Sequence, residues 1–176
     1  AIRYPRAIAS TLLPFRGSGN TPFVERHEGE DFALIAVGNV FSNALEAFEH
    51  LTAAGYRGRL INPRRLKPLP MVDLLQTLGD TRFVFTLEDN VLTGGFGERV
   101  ALALDPARYH VTTFAVPDHF VGHGTIPQLH ERLGLSGAKV ASRIREALAL
   151  AAGRAESDPD GEKILSDEIL SGVDYE

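Results

Sequence analysis

The sequence has no cysteine, no tryptophan and only one methionine among its 176 residues. Without cysteine the chain can form no disulfide bond, no thiolate metal site and no cysteine nucleophile. That absence suits a reducing compartment without requiring one. Long hydrophobic runs are also missing, since no apolar segment approaches the roughly 18–20 residues that a membrane-spanning helix needs. The first residues include neither an initiator methionine nor a signal-peptide pattern, and we expect this chain to be part of a longer polypeptide.

The sequence also lacks an excess of positive charge. Lys and Arg number 18 against 23 Asp and Glu, a formal net charge of −5, whereas nucleic-acid-binding domains usually present a basic face. The negative charge is concentrated at the C-terminal end, where residues 154–176 carry eight acidic and two basic side chains. We therefore expect residues 153–176 to form an acidic, flexible tail.

Short apolar runs alternate with helix-length segments from residue 32 onward. Residues 32–37 are a continuous apolar run, which is typical of a strand buried on both faces of a sheet. The alternation predicts an α/β domain over residues 32–152, with a three-layer α/β/α fold and a mainly parallel sheet. Further strands are predicted at residues 59–62, 83–87 and 111–116, and helices at 41–51, 71–78, 95–104, 126–133 and 136–152.

The segment before this domain has a different composition. Residues 1–4 are β-prone and end at Pro5. Residues 8–31 are rich in proline, glycine, serine and asparagine, which predicts a linker. Whether a short strand forms near Phe23-Val24 within this segment is left open.

Polar residues follow the strand predicted at residues 83–87, at the end where ligands bind in doubly wound sheets. Glu88-Asp89-Asn90 could supply an acid and a base, but neighbouring side chains point in different directions, so a capping role or a domain contact is favoured. Thr93-Gly-Gly-Phe-Gly97 then opens a helix, whose free N–H groups could hold a phosphate. Its spacing matches neither the G-x-G-x-x-G nor the Walker pattern, so a tight strand-to-helix turn is favoured.

Histidine and aspartate side chains cluster after the last predicted strand. Asp118, His119, His123 and the later His130 include the ligand types that bind metal ions. The first three lie in a glycine-containing loop rather than on one helix face, and no obvious third ligand joins an imidazole and a carboxylate in a typical set. A structural or interface role for His123 is therefore favoured over metal binding.

Cationic side chains follow two strand-like segments. Arg64, Arg65 and Lys67 come after the second predicted strand, where they could attract a phosphate, but ordinary surface charge is favoured from the residues alone. Arg6 follows Pro5, whose fixed φ stiffens the exit from the first segment. A guanidinium there suits bidentate phosphate recognition, and from the residues alone this role and a plain surface role stay open.

Four stretches, in this order, resemble the transketolase-type enzymes that depend on thiamin diphosphate. Ala1-Ile-Arg-Tyr-Pro-Arg6 is similar to the strand that ends their pyrimidine-binding domain, and Ile61-Asn-Pro-Arg-Arg-Leu-Lys-Pro-Leu69 is similar to a segment of their C-terminal domain. Thr86-Leu-Glu-Asp-Asn-Val-Leu-Thr-Gly-Gly-Phe-Gly97 and Pro117-Asp-His-Phe-Val-Gly-His-Gly-Thr125 narrow the resemblance to the 1-deoxy-D-xylulose-5-phosphate synthase family. The resemblance covers residue 1 to about residue 149.

The resemblance implies an activity for a whole enzyme and a supporting role for this chain. The family joins pyruvate to D-glyceraldehyde 3-phosphate, releases CO2 and forms 1-deoxy-D-xylulose 5-phosphate, using thiamin diphosphate and Mg²⁺. Its cofactor-binding and catalytic groups lie upstream, so no catalytic, cofactor-binding or metal-binding residue is implied here. The resemblance also implies a cytoplasmic homodimer, upstream domains of the same chain as partners, and residues 1–7 as the end of the pyrimidine-binding domain.

Two arginines receive a role from the resemblance. Arg6 corresponds to the arginine of Tyr-Pro-Arg, and Arg64 stands three residues before Lys67; both match arginines that bind the phosphate of glyceraldehyde 3-phosphate. The sequence departs from the family pattern at Ala7, usually glycine, and at Arg65, usually aromatic. The rival interpretations are the equivalent domain of a transketolase or of a 2-oxo-acid dehydrogenase β-chain, and a non-catalytic interaction module with a regulatory acidic tail.

Overall fold

The fold is built on one five-stranded sheet in the computed structural model, which describes residues 21–157. Its strands are β1 (Phe23–His27), β2 (Ala33–Val37), β3 (Arg59–Pro63), β4 (Phe83–Val91) and β5 (His110–Val116). Their order in the sheet is β1-β3-β2-β4-β5, with β1 antiparallel to β3 and the other neighbours parallel. The predicted mainly parallel sheet is confirmed. The predictions for residues 1–20 and 158–176 lie outside the described residues.

Helices cover both faces of this sheet. Within residues 21–157 they are α1 (Phe41–Ala53), α2 (Met71–Leu78), α3 (Phe96–Ala103), α4 (Ile126–Arg132) and α5 (Gly137–Ser157). Helices α1 and α5 pack on one face, and α2 and α3 pack on the other. The result is the three-layer α/β/α arrangement expected from the alternating pattern. None of these helices combines the length and the apolar character needed to cross a membrane.

The central strand β2 contributes to a hydrophobic core on each side of the sheet. Leu34 and Ala36 belong to the core under α1 and α5, whereas Ala33 and Ile35 belong to the core under α2 and α3. Successive side chains of a strand point to opposite faces, and both faces are covered here. This double burial is the physical reason why the run at residues 32–37 shows no polar alternation.

Strand β1 lies inside the segment that the sequence predicted as a linker over residues 8–31. It forms the antiparallel edge of the sheet, with Phe23 opposite Pro63 of β3, and the Phe23 side chain is buried in the core under α2 and α3. The sheet therefore begins at residue 23 rather than at residue 32. The short strand left open near Phe23-Val24 is the one that forms.

Arg59 of β3 links β1 and the loop that follows it to the rest of the domain, at the end of β1 away from Phe23. Its guanidinium lies 3.6 Å from a carboxylate oxygen of Glu25 in β1 and 3.0 Å from one of Glu30. It also donates to the Thr77 carbonyl in α2 at 2.7 Å. Arg59 is 7% exposed, so these partners compensate a charge that has left water.

Two other elements extend beyond their predicted ends. Strand β4 runs to Val91 because it continues to pair with β5 after a register shift between Leu87 and Val91. Helix α5 runs to Ser157 and so includes the first residues of the predicted tail. Its last turns are rich in alanine and leucine, which favour helix.

Candidate functional site

The parallel strands β2, β3, β4 and β5 all end at one side of the sheet, which we call the carboxyl edge. After β2 the chain continues to β3 on one side of it, whereas after β4 it continues to β5 on the other side, so the direction of the strand order reverses between β2 and β4. Ligands of such sheets bind at the crevice formed there. Gly38, with φ of 74°, turns the chain out of β2, and the Asn39 amide donates to Asp89 Oδ2 across the crevice at 3.2 Å.

Glu88 occupies the anion position at the start of α3. Its side chain is 3% exposed and accepts hydrogen bonds from the backbone N–H groups of Phe96 (3.0 Å) and Gly97 (2.8 Å). These donors belong to the first turn of α3, where the helix dipole favours a negative charge. The protein thus supplies its own anion, and the N–H groups that could have held a phosphate are taken. The favoured interpretations, a capping role for Glu88 and a tight turn before α3, are confirmed.

Two glycines of this turn bring α3 unusually close to the sheet. A Cβ at Gly95 would lie 2.5 Å from Glu88 Oε1. A Cβ at Gly97 would lie 2.3 Å from both Thr86 Oγ1 and Thr113 Cγ2. Because real Cβ atoms do not approach so closely, the glycines are required by helix-to-sheet packing rather than by a nucleotide.

His130 attaches α4 to the carboxyl edge. The Asn43 amide nitrogen lies 2.9 Å from His130 Nδ1 and donates to the Leu135 carbonyl at 2.8 Å. One amide hydrogen goes to each, so Nδ1 accepts and the ring proton lies on Nε2. Nε2 lies 3.9 Å from Asp89 Oδ1. His130, the buried side chain of α4, therefore links that helix to the first turn of α1, through Asn43, and to the end of β4, through Asp89.

The side chains that were considered as metal ligands do not come together around His130. Asp118, His119 and His123 are exposed in the loop after β5, whereas His130 faces Asn43 and Asp89. Within residues 21–157, no three histidine, aspartate or glutamate side chains are grouped as metal ligands.

Arg64 lies at the carboxyl edge where the chain enters the sheet. Its backbone N–H donates to the Pro22 carbonyl at 2.8 Å, and that of Arg65 shares the same acceptor at 3.3 Å. Both side chains are exposed, and among the described residues neither guanidinium has a hydrogen bond or an ion pair. Arg6, the other predicted phosphate ligand, lies outside the described residues. The residues that precede Pro22 therefore join the domain next to Arg64.

Sequence reasoning missed the two amide contacts of this site. The Asn39–Asp89 pair spans 50 residues and the Asn43–His130 pair spans 87. No local spacing links such partners. The one local signal was the position of Asn39 shortly after the buried strand β2.

Comparison with known proteins gives a consistent family. The family described as "Transketolase, C-terminal domain" matches residues 23–140. The 1-deoxy-D-xylulose-5-phosphate synthase of Dehalococcoides mccartyi is 32% identical over 156 residues, which cover 85% of this chain and 24% of that protein. The 1-deoxy-D-xylulose-5-phosphate synthase 1 of Geobacter sulfurreducens is 39% identical over 155 residues, with the same coverage. The chain thus spans about a quarter of the length of the curated relatives it matches.

Similar solved structures are also transketolases. A protein described as a split gene transketolase, inactive β4 tetramer, is 29% identical and superposes with a TM-score of 0.66 over 84% of this chain and 47% of that one. The transketolase of Campylobacter jejuni superposes with a TM-score of 0.54 at 17% identity, over 74% of this chain and 19% of that one. The second likeness concerns the fold alone.

Proposed function

The chain belongs to the transketolase C-terminal domain family, and from that premise we propose that it is the C-terminal domain of a 1-deoxy-D-xylulose-5-phosphate synthase. The whole enzyme would condense pyruvate with D-glyceraldehyde 3-phosphate, releasing CO2 and forming 1-deoxy-D-xylulose 5-phosphate in the cytoplasm, as a homodimer. The observation that carries the proposal is the identity of 32% and 39% to two such synthases over 85% of the chain.

Thiamin diphosphate, the cofactor of this enzyme family, does not fit the described residues. The N–H groups at the start of α3 already bind the Glu88 carboxylate, and within residues 21–157 no cluster of carboxylates or histidines is present for Mg²⁺. We therefore assign the binding of both groups to the upstream domains of the full-length enzyme. The chain itself contributes scaffolding and contacts to the substrate.

Arg64 is the described residue with the chemistry for that contact. Its guanidinium is exposed at the carboxyl edge beside the point where the chain enters. A planar guanidinium can hold a phosphate dianion through two parallel hydrogen bonds. With Arg6, which precedes the domain, Arg64 would bind the phosphate of glyceraldehyde 3-phosphate at the boundary between this domain and the preceding one.

Steady-state kinetics of the full-length enzyme test this assignment. Arg64→Ala and Arg6→Ala should each lower kcat/KM for glyceraldehyde 3-phosphate while leaving that for pyruvate nearly unchanged, because only the former carries a phosphate. A lost charge-assisted contact costs about 1.5–3 kcal/mol, or roughly ten- to a hundred-fold. Arg64→Lys should recover part of the loss.

Arg65→Ala is the matched control, since Arg65 is the exposed neighbour of Arg64 and shares its backbone acceptor. It should leave both substrates unaffected. Equal losses for pyruvate and glyceraldehyde 3-phosphate in Arg64→Ala, together with a lower Tm, would contradict the phosphate role.

A second candidate is the equivalent part of a split transketolase. The observation that favours it is the 29% identity and the TM-score of 0.66 to a split gene transketolase that the chain covers over 47% of its length. Substrate profiling separates the candidates. A synthase uses pyruvate as the donor, whereas a transketolase uses a ketose phosphate and gives no CO2.

A further inference from the structure

Four large apolar side chains that are exposed to solvent lie at or after the carboxyl ends of the neighbouring strands β4 and β5. Phe120 is 104% exposed, Ile126 56%, Leu92 42% and Val91 36%. We call these four residues the edge patch. Single exposed apolar residues are ordinary on a protein surface, but several together mark an interaction site.

The fold holds the edge patch in place from two sides. Beyond the register shift of β4, Val91 pairs with Val116 and the backbone N–H of Leu92 donates to the Val116 carbonyl at 2.9 Å. Such irregularities redirect side chains near functional sites. The patch is therefore presented by strand pairing and not by a free loop alone.

Helix α4 fixes the other side of the edge patch. Ile126 is its first residue, and its N-terminus is closed by a capping box in which Thr125 and Gln128 bind each other's backbone. His130 anchors the same helix to Asn43 and Asp89. The loop that carries Phe120 is thus held at its end by an anchored helix.

The position of the chain entry indicates what covers the patch. Pro22 joins the domain at the carboxyl edge beside Arg64, so the first described residues lie on this same side of the sheet. Strands lie about 4.8 Å apart, which puts the entry at β1 roughly 19 Å from β5. A globular domain of ordinary size, with a radius of gyration of about 13 Å or more, spans that distance.

The relatives supply the length that such a covering domain needs. The chain accounts for 24% of two curated synthases and matches the C-terminal domain of the family. Most of such an enzyme therefore lies outside its C-terminal domain.

We propose that the edge patch is the surface on which the preceding domain of the full-length enzyme docks, so that Val91, Leu92, Phe120 and Ile126 are buried between the two domains. This inference rests on the proposed function, since it requires a full-length enzyme with upstream domains. The inference adds to the proposed function the side of this domain that the upstream domains cover. The same docking closes the space over Arg64, where the substrate phosphate would lie.

Cysteine labelling tests the docking surface directly, because the chain has no cysteine of its own. Phe120→Cys and Ile126→Cys place single thiols in the edge patch. Leu102→Cys, in the last turn of α3 at 81% exposure, and Leu150→Cys, in α5 at 60%, are matched exposed controls away from the carboxyl edge. Each variant is made in this chain and in the full-length enzyme, and a maleimide's reaction rate is read by peptide mass spectrometry.

In the chain alone, all four thiols should react at similar rates, because all four sites are exposed. In the full-length enzyme, the thiols at positions 120 and 126 should react more than about ten-fold slower, since thiol reactivity requires access. Those at positions 102 and 150 should keep their rates. Thermal melts of each variant verify that the substitutions leave the fold intact.

Two results would overturn the inference. Equal reactivity of all four thiols in the full-length enzyme would mean that nothing covers the patch. Protection in the chain alone that disappears on dilution would mean that a second copy covers it. The synthase assay on the same full-length preparation reads the proposed function separately, because an enzyme that forms deoxyxylulose phosphate with an unprotected patch refutes only the docking surface.

Discussion

At the residue scale, the buried carboxylate of Glu88 organises the turn from β4 into α3. It satisfies the N–H groups of Phe96 and Gly97, which a helix start otherwise leaves without an intrahelical partner. The adjacent Gly95 leaves room for the carboxylate, since a Cβ there would meet Glu88 Oε1. The buried carboxylate of Glu88 and the absence of a Cβ at Gly95 thus define the geometry of the turn.

Glu88→Ala should destabilise the domain by about 2–4 kcal/mol, because it leaves two backbone donors unpaired and removes a charge that the helix dipole favours. Glu88→Gln keeps one acceptor oxygen and should cost less. Urea unfolding of the chain measures both. Asn90→Ala, two residues further on and exposed, is the control and should stay within about 0.5 kcal/mol of the parent. A Glu88→Ala variant as stable as the Asn90→Ala variant would refute the capping role.

Gly97→Ala should also destabilise the domain, because its Cβ would overlap Thr86 of β4 and Thr113 of β5. Overpacking of this kind costs about 1–3 kcal/mol. Gly122→Ala is the matched control, since the nearest atom to its Cβ would be Arg132 Nη1 at 3.5 Å. Unfolding midpoints compare the two variants, and an unchanged midpoint for Gly97→Ala would show that α3 can move away from the sheet without cost.

At the element scale, α4 differs from the other helices in how it attaches. Its buried residue is a histidine rather than an apolar side chain, and that histidine contacts Asn43 of α1 and Asp89 of β4. A short helix held by polar contacts opens locally at a lower free energy than helices packed in a core.

His130→Ala should therefore loosen α4 without unfolding the domain. We expect amide hydrogen exchange in residues 126–132 to accelerate about ten-fold, as follows from losing roughly one net hydrogen bond, while the amides of α1 keep their protection. Arg132→Ala, exposed on the same helix, is the control. Equal acceleration in α1 and α4 would instead indicate that His130 supports the whole fold.

Strand β1 illustrates how far local patterns predict an element. Its sequence, Phe-Val-Glu-Arg-His, has no continuous apolar run, because an edge strand is covered less fully than a central one. The strand forms because Phe23 fills the core and Arg59 pairs with Glu25 and Glu30. Neither contact is visible in a window of five residues, so the sequence could only leave this strand open within the predicted linker.

At the scale of the whole molecule, the chain matches a C-terminal domain family and spans about a quarter of the length of the curated relatives. The N–H groups at the start of α3 bind the Glu88 carboxylate, and we propose that the upstream domains of the full-length enzyme bind thiamin diphosphate, since a guanidinium that holds a phosphate cannot supply the chemistry of that cofactor. The apolar side chains at the carboxyl edge and the entry of the chain at Pro22 both face the same side.

The isolated chain should accordingly show no synthase activity. Incubated with pyruvate, glyceraldehyde 3-phosphate, thiamin diphosphate and Mg²⁺, it should form no deoxyxylulose phosphate above the buffer control, as chromatography with mass detection can measure. The full-length enzyme assayed in parallel serves as the positive control. Sustained turnover by the rigorously purified chain would refute the assignment of catalysis to upstream domains.

The sequence by itself determined the α/β class, the four parallel strands and the helices between them, because apolar periodicity directly reflects which side chains are buried. It also determined the family, through motifs that need no structure to be compared. Only the tertiary structure decided that β1 joins the sheet, that Glu88 fills the anion position of α3, and that Asn43 and Asp89 anchor His130. These contacts join residues that are distant in the chain or depend on a turn's geometry, and packing alone determines which of them meet.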